Sequence, residues 1–220
     1  NGVGALTHKK RNNVFVPLYA GLNFEHIHDG TLAVNKQKFE PREWPMELRI
    51  IDKNTVELYQ RPTPNWRLES CTRYHLLPDG TIEYTFECIP RADVFKNGYI
   101  GLFWASYIHQ PNDKSINFRG HVTSTNQKAK WLQALSPHHG IDSTHPPHGL
   151  TQQPVVNPKF PLTLVNHRSK YVYDEPWYYG VSHGMALVFM FRERDKLWFA
   201  QSPTGGGPKN PAWDRSEEHT

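Results

Sequence analysis

Prolines and glycines interrupt this chain so often, 18 and 15 of them in 220 residues, that no long helix fits between them. Proline removes a backbone donor and glycine carries an entropy penalty inside a helix. The stretches between these breaks alternate apolar and polar residues with a period of two, as strands with one buried face do. In Thr81-Ile82-Glu83-Tyr84-Thr85-Phe86-Glu87-Cys88 the Ile, Tyr, Phe and Cys share one face, and Thr and Glu share the other. Residues 46–50 and 55–59 form a hairpin around Asp52-Lys53-Asn54, and 185–191 return through 192–196 into 197–200 as another. Residues 98–109 are apolar and aromatic on both faces, which places them as a strand in the middle of the fold. The pattern predicts an all-β protein: a large antiparallel β-sandwich with long loops and little helix.

Residues 1–214 read as one such domain, a size that sandwiches commonly reach as a single unit. The chain opens at Asn1 without an initiator Met or an apolar leader, which sets the natural start upstream. Arg215-Ser216-Glu217-Glu218-His219-Thr220 resembles the translation of a common sequencing adaptor, which marks 215–220 as a non-native tail. A composition of 37% hydrophobic and 21% charged residues is globular. No window approaches the 18 apolar residues of a membrane span. Lys and Arg are scattered under a net charge of +4, with no cluster of the kind nucleic-acid binding requires.

The two cysteines, Cys71 and Cys88, flank a turn at Pro78-Asp79-Gly80. A two-residue loop would set them opposite each other, whereas a three-residue loop pairs Leu76 with Ile82, Tyr74 with Tyr84 and Cys88 with Ser70. The second register joins like faces, so the thiols are expected to be free. The long proline-rich stretch 136–161 carries four histidines, and loops of this length are functional or disordered.

The strand after Asp79-Gly80, the segment Gly98-Tyr99-Ile100-Gly101-Leu102-Phe103-Trp104-Ala105-Ser106-Tyr107, and the last strand leading to Ser202-Pro203 and Asn210 resemble the galactose-mutarotase-like supersandwich superfamily, over about Leu48 to Trp213. The resemblance implies a sugar site on the concave face of a large antiparallel sheet. Its epimerases use a His acid and a Glu base, the latter in a Glu-Pro step after a late strand. Here that step reads Ser202-Pro203, so any acid or base must come from elsewhere in the chain.

Several segments carry the side chains such a site would use. In Glu25-His26-Ile27-His28-Asp29 two imidazoles share one face if the segment is a strand, a spacing suited to gripping hydroxyls or to holding a metal. Trp104, Tyr107 and His109 follow in the central strand, with Trp104 on one face and Tyr107 and His109 on the other. Aromatic rings stack on the C–H faces of pyranoses while polar side chains take the hydroxyls; the same Trp and Tyr also suit a sandwich core. Trp177-Tyr178-Tyr179-Gly180-Val181-Ser182-His183-Gly184 is the densest aromatic stretch. His183 is the first candidate for acid/base work, since an imidazole titrates near neutral pH, with His109 and Glu25 as its partners. His26, His28, Trp104, Tyr107, Arg119, His167, Trp177 and Trp213 are the expected substrate-binding set, with Asn166 and His121 as further contributors. Gly205-Gly206-Gly207 lacks the Lys-Ser/Thr of a phosphate loop, and no Gly-x-Ser-x-Gly elbow occurs.

The expectation is a carbohydrate-binding or carbohydrate-processing protein that takes a sugar ligand and needs no cofactor. The alternatives are a noncatalytic sugar-binding or structural sandwich, and a metal-dependent β-barrel enzyme using His26 and His28. Incubation with sugar panels separates the first two, and metal analysis identifies the third.

Overall fold

The computed structural model describes residues 2–9, 12–17, 19–31, 35–124, 128–150, 154–160 and 167–219. Asn166 lies outside them. In chain order the elements are β1 Asn23–His28, α1 Asn35–Lys38, α2 Glu40–Glu43, β2 Met46–Ile50, β3 Thr55–Gln60, β4 Leu68–Leu76, β5 Ile82–Pro90, β6 Ile100–Ala105, β7 Ile116–Val122, β8 Lys130–Ala134, β9 Thr144–His145, β10 Tyr171–Ser182, β11 Met185–Met190, β12 Trp198–Ser202 and β13 Ala212–His219. The protein is an all-β sandwich; among the described residues it has two α-helices of one turn each and a 3-10 turn at Glu193–Asp195.

The strands form three sheets, ordered β1-β6-β13-β12-β9, β11-β10-β7-β8 and β2-β3-β4-β5. The second and third pack side by side against one face of the first. Phe199 and Trp213 of the five-stranded sheet meet Phe118, Leu132, Tyr178 and Phe189 of the second sheet. Phe24, Ile27, Leu102 and Trp104 meet Leu68, Tyr84 and Phe86 of the third. The cores on this face are dry, and a cleft lined by Trp104 and Arg215 opens between β5 and β11. At Gly180 an added methyl would collide with the Trp213 ring.

Among the described residues no sheet covers the opposite face of the five-stranded sheet. Its apolar residues Phe103, Ala105, Tyr107, Trp198, Ala200 and Ala212 are covered by Val16, Leu150, Val156 and Phe160, all from irregular chain. Polar side chains are buried on both faces of this sheet: Asp214 and Ser216 on this one, His145, Gln201 and Arg215 on the other.

Local alternation is realised where it is strongest. β4 and β5 pair as Leu76↔Ile82, Tyr74↔Tyr84 and Ser70↔Cys88, and neither cysteine forms a disulfide. β2 and β3 form the second hairpin. The hairpin expected between 185–191 and 197–200 does not form. β11 pairs with β10, whereas β12 pairs with β13 and β9, and 192–196 cross between sheets. The turn closing β10 and β11 is His183-Gly184, both with positive φ, 53° and 75°, the geometry that matches the twist of a two-residue hairpin loop. β13 continues beyond Asp214 and pairs with β6 as far as His219↔Ile100; backbone pairing of this kind accepts almost any non-proline sequence and carries no information on the origin of 215–220.

Candidate functional site

The polar face of the five-stranded sheet is built from β1 upward. Phe24 pairs with Trp104 and His26 with Phe103, so Glu25 is an extra residue, a β-bulge. The bulge breaks strict alternation. Asn23 and His28 sit opposite Ala105 and Gly101, and His26 opposite Phe103, all on the loop-covered face, and the inserted Glu25 joins them there. Phe24 and Ile27 turn the other way into the dry core.

Glu25 is buried and receives the Tyr107 hydroxyl, 2.8 Å from one carboxylate oxygen and 2.7 Å from the other. Arg42 of α2 donates to the first oxygen at 3.0 Å. Burial raises the Glu25 pKa above the usual carboxylate value, with the Tyr107 bond and the charges of Arg42 and Lys38 opposing it in part. Burial, together with the nearby Glu25 and Asp214, keeps the Tyr107 phenol protonated far above its ordinary range. Asp214 on β13 is fully buried, accepts the Ser106 N–H at 3.1 Å, and is held well above its normal pKa by burial and by the charge of Glu25. Two protonatable carboxyls therefore share one face of the sheet.

His26 and His28 are also buried, and among the described residues all four of their ring nitrogens lack a hydrogen-bond partner, as does the side-chain oxygen of Asn23. His26 packs on Phe39 and Phe103, with ring centroids 4.6 and 5.3 Å away, and His28 packs on Phe160 at 5.0 Å. Burial drives both imidazoles toward the neutral form. For His26 the pKa falls well below 6.5, helped by the charges of Lys38, His28 and Arg42; for His28 it falls to about 4, against the opposing charge of Asp29. The 3.7 Å separation of His26 Nε2 from Glu25 is accordingly a contact of a neutral ring with a carboxyl group and not an ion pair. Lys38 is the electrostatic hub: Glu25 resists the fall in its pKa that burial causes, and its charge is felt at His26, His28 and His139. Arg42, with a third of its side chain exposed, and the exposed His139, bonded at 2.8 Å to Ser202, carry the cluster out to solvent. Ser202, where the resemblance expects a carboxylate, lies on this same face, opposite Ala212.

Of the expected site residues, Glu25, His26, His28 and Tyr107 thus converge. The others are elsewhere. His183 occupies the first position of the β10–β11 turn, bonded to Ser182 Oγ at 2.9 Å, and is not among the groups around Glu25. His109 follows β6, with its amide bonded to Val14 and its Nδ1 unpartnered. Trp104 and Trp213 belong to the dry cores, and the Trp213 indole donates to Lys114 O at 3.1 Å. Trp104 also lines a cleft of about 1080 Å³ between β5 and β11. His167 is exposed, and its carbonyl accepts from Ser143 and Thr144.

Trp177 and Arg119 meet on the outer face of the second sheet. The Trp177 ring lies 5.3 Å from Trp131 and 6.3 Å from Tyr179, and Trp131 lies 5.8 Å from Tyr179. The Arg119 guanidinium sits 6.0 Å from the Trp131 ring and 3.5 Å from Glu175. Trp131 is 52% exposed, so these rings present a surface to solvent.

Sequence reasoning passed over Asn23, Lys38, Arg42, His139 and Asp214. Only Asn23, two residues before Glu25, carried a local signal; the rest reach the site through long-range pairing and the turns after β1. Among the described residues no third metal ligand joins His26 and His28; the group of three that could hold an ion is His121, His148 and Asp174, on a different sheet.

Comparison with protein-family models, with curated proteins and with solved structures finds no match for this chain.

Proposed function

We propose that this protein binds a carbohydrate on the loop-covered face of the five-stranded sheet and processes it by proton transfer through Glu25. The observation that carries the reading is the set of five buried polar atoms on Asn23, His26 and His28 without partners among the described residues, beside a carboxyl whose pKa burial has raised. A buried polar atom left unpaired costs roughly 1–3 kcal/mol, so such a set is expected where a ligand completes it. A neutral imidazole offers one donor and one acceptor, and a hydroxyl offers both in return. A polyol therefore matches these rings, while a phosphate or carboxylate calls for cationic partners. Phe39, Phe103, Tyr107 and Phe160 supply apolar surface for the C–H faces of a sugar.

In this reading Glu25 is the catalytic residue, taking or giving the proton, since a raised carboxyl pKa suits acid/base work near neutral pH. Tyr107 and Arg42 hold it in place, and His26 and His28 bind hydroxyls. The test is a panel of neutral mono- and oligosaccharides assayed for binding by calorimetry and for turnover. Glu25→Gln is expected to keep binding and lose turnover by roughly 100-fold or more, and His28→Leu to weaken binding. A panel without binding or turnover overturns the reading.

A second reading rests on Trp131, Trp177, Tyr179 and Arg119, whose open aromatic surface suits noncatalytic sugar binding. Trp177→Ala then abolishes binding while Glu25→Gln and His28→Leu leave it unchanged, the reverse of the first pattern.

A further inference from the structure

On the outer face of the second sheet three ligating side chains from three segments meet at one point. His121 Nδ1 lies 2.7 Å from one oxygen of Asp174, and His148 Nδ1 lies 3.1 Å from the other. The two rings are edge to face, with centroids 4.6 Å apart. One donor atom from each residue falls within a span of 4.8 Å.

Backbone pairing assembles this group. His121 on β7 pairs with Val172 on β10, and Asp174, two residues beyond Val172, projects from the same side of the strand, diagonal to His121. Just there the β7–β10 register shifts, between Tyr173 and Tyr178, and an irregularity of this kind re-aims the side chains beside it. His148 arrives from the long proline-rich stretch. The bridge of Pro147 to Tyr173, the bond from His148 N–H to Tyr173 O at 2.8 Å and that from Tyr173 N–H to Pro146 O at 3.1 Å tie its backbone to the residue preceding Asp174. All three ligands are thus referenced to one point of β10.

We propose that His121, His148 and Asp174 form a binding site for a divalent transition ion of the zinc class. Two imidazoles and one carboxylate are the donor set of open zinc sites, which leave a fourth position for water or a ligand. Donor atoms of a tetrahedral site with bonds of about 2 Å stand about 3.3 Å apart, so the two contacts to Asp174, at 2.7 and 3.1 Å, would lengthen by a few tenths of an ångström while the widest donor pair, within 4.8 Å, would close by up to about 1.5 Å. Each ring nitrogen facing Asp174 becomes a ligand once its proton sits on the opposite nitrogen. The His148 side chain is 63% exposed, which gives an ion a path from solvent, while His121 and Asp174 are more enclosed. The site is separate from the face that carries Glu25 and does not depend on the function proposed for that face.

The test uses the full chain purified without a polyhistidine tag, stripped with chelator and titrated with Zn²⁺ by calorimetry, with Co²⁺ as a spectroscopic substitute. Equimolar binding and the visible bands of tetrahedral cobalt are expected. Asp174→Ala and His121→Ala should each weaken zinc binding by roughly 100-fold or more, and His28→Leu should leave it unchanged. His148→Ala alters an exposed side chain, so it keeps the test sharp if the variant at buried His121 fails to fold; it too should lose the equimolar binding. A folded wild-type chain that takes up no equimolar zinc, or zinc affinity unchanged in His148→Ala, overturns the proposal: the three side chains are then a hydrogen-bonded His–Asp–His group only.

Discussion

His145 and His28 are both buried on the five-stranded sheet, at 1% and 0% exposure, and differ in what their ring nitrogens meet. His145, paired across from Phe199 on the dry side, has its Nδ1 bonded to Ser169 Oγ at 2.6 Å and its Nε2 facing the amide of Gln201 at 3.0 Å. His28, on the loop-covered side, has no partner at either nitrogen among the described residues. Burial depresses both pKa values, to about 3 and about 4, so titration does not distinguish them. Hydrogen bonding does: both nitrogens of the first ring are partnered, and neither nitrogen of the second is, among the described residues.

The contrast breaks most easily through stability. His145→Ala should lower the unfolding free energy by about 3 kcal/mol, read from denaturant midpoints, because it opens a void and strands Ser169 and Gln201. His28→Leu removes two unpaired atoms from a dry setting and should leave stability level or higher by about 1 kcal/mol. Equal losses from the two changes would erase the distinction.

Acid sharpens it. A histidine whose folded pKa lies below its unfolded value contributes stability above the unfolded pKa, and that contribution is lost as pH falls through the folded one. His28, moved from 6.5 to about 4, should account for roughly 2 kcal/mol of the loss between pH 6.5 and 5. Glu25 has the opposite sign. Its pKa is raised, so its contribution is present below about 4.5 and is lost as pH climbs through the folded value. His28→Leu should therefore flatten the acid limb of a stability-versus-pH curve, and an unchanged slope would show that His28 does not titrate as a buried ring.

Close packing gives a smaller effect. A methyl at Gly101 would strike the His28 imidazole, so Gly101→Ala should cost about 1–2 kcal/mol. Most of that should vanish in a His28→Ala background, and the coupling is read from a double-mutant cycle. Smallest is His183→Gly, at a turn position with φ of 53°: stability should rise by about 0.5 kcal/mol with no change in sugar handling. A large loss of turnover would return His183 to the chemistry.

The sequence was most readable where one local pattern decides. Alternation set the faces of β5, and like-face pairing gave the register that leaves Cys71 and Cys88 unjoined. It misleads at 185–200, where two apolar runs suggest a hairpin although 192–196 lack the residues of a tight turn; the turn lies at His183-Gly184, where the sequence offers His183 as an acid/base candidate. In the candidate site the spacing of His26 and His28 was visible because a strand puts i and i+2 together. Arg42, Lys38 and Asp214 were not, since nothing local to them tells which strand or turn will lie beside Glu25. His121, His148 and Asp174 are likewise separated along the chain and joined only by the β7–β10 pairing and the Pro147–Tyr173 bridge.

The extra residue in β1 has an effect out of proportion to its size. Because the strand counts one residue more than its neighbour, shortening it by a single position between Phe24 and His26 would restore an unbroken ladder, and the carboxyl at 25 would vanish without any other side chain changing sides. The acid group is in this sense an insertion carried by an otherwise ordinary strand, and a one-codon deletion there offers a sandwich that keeps its architecture and forfeits its proton.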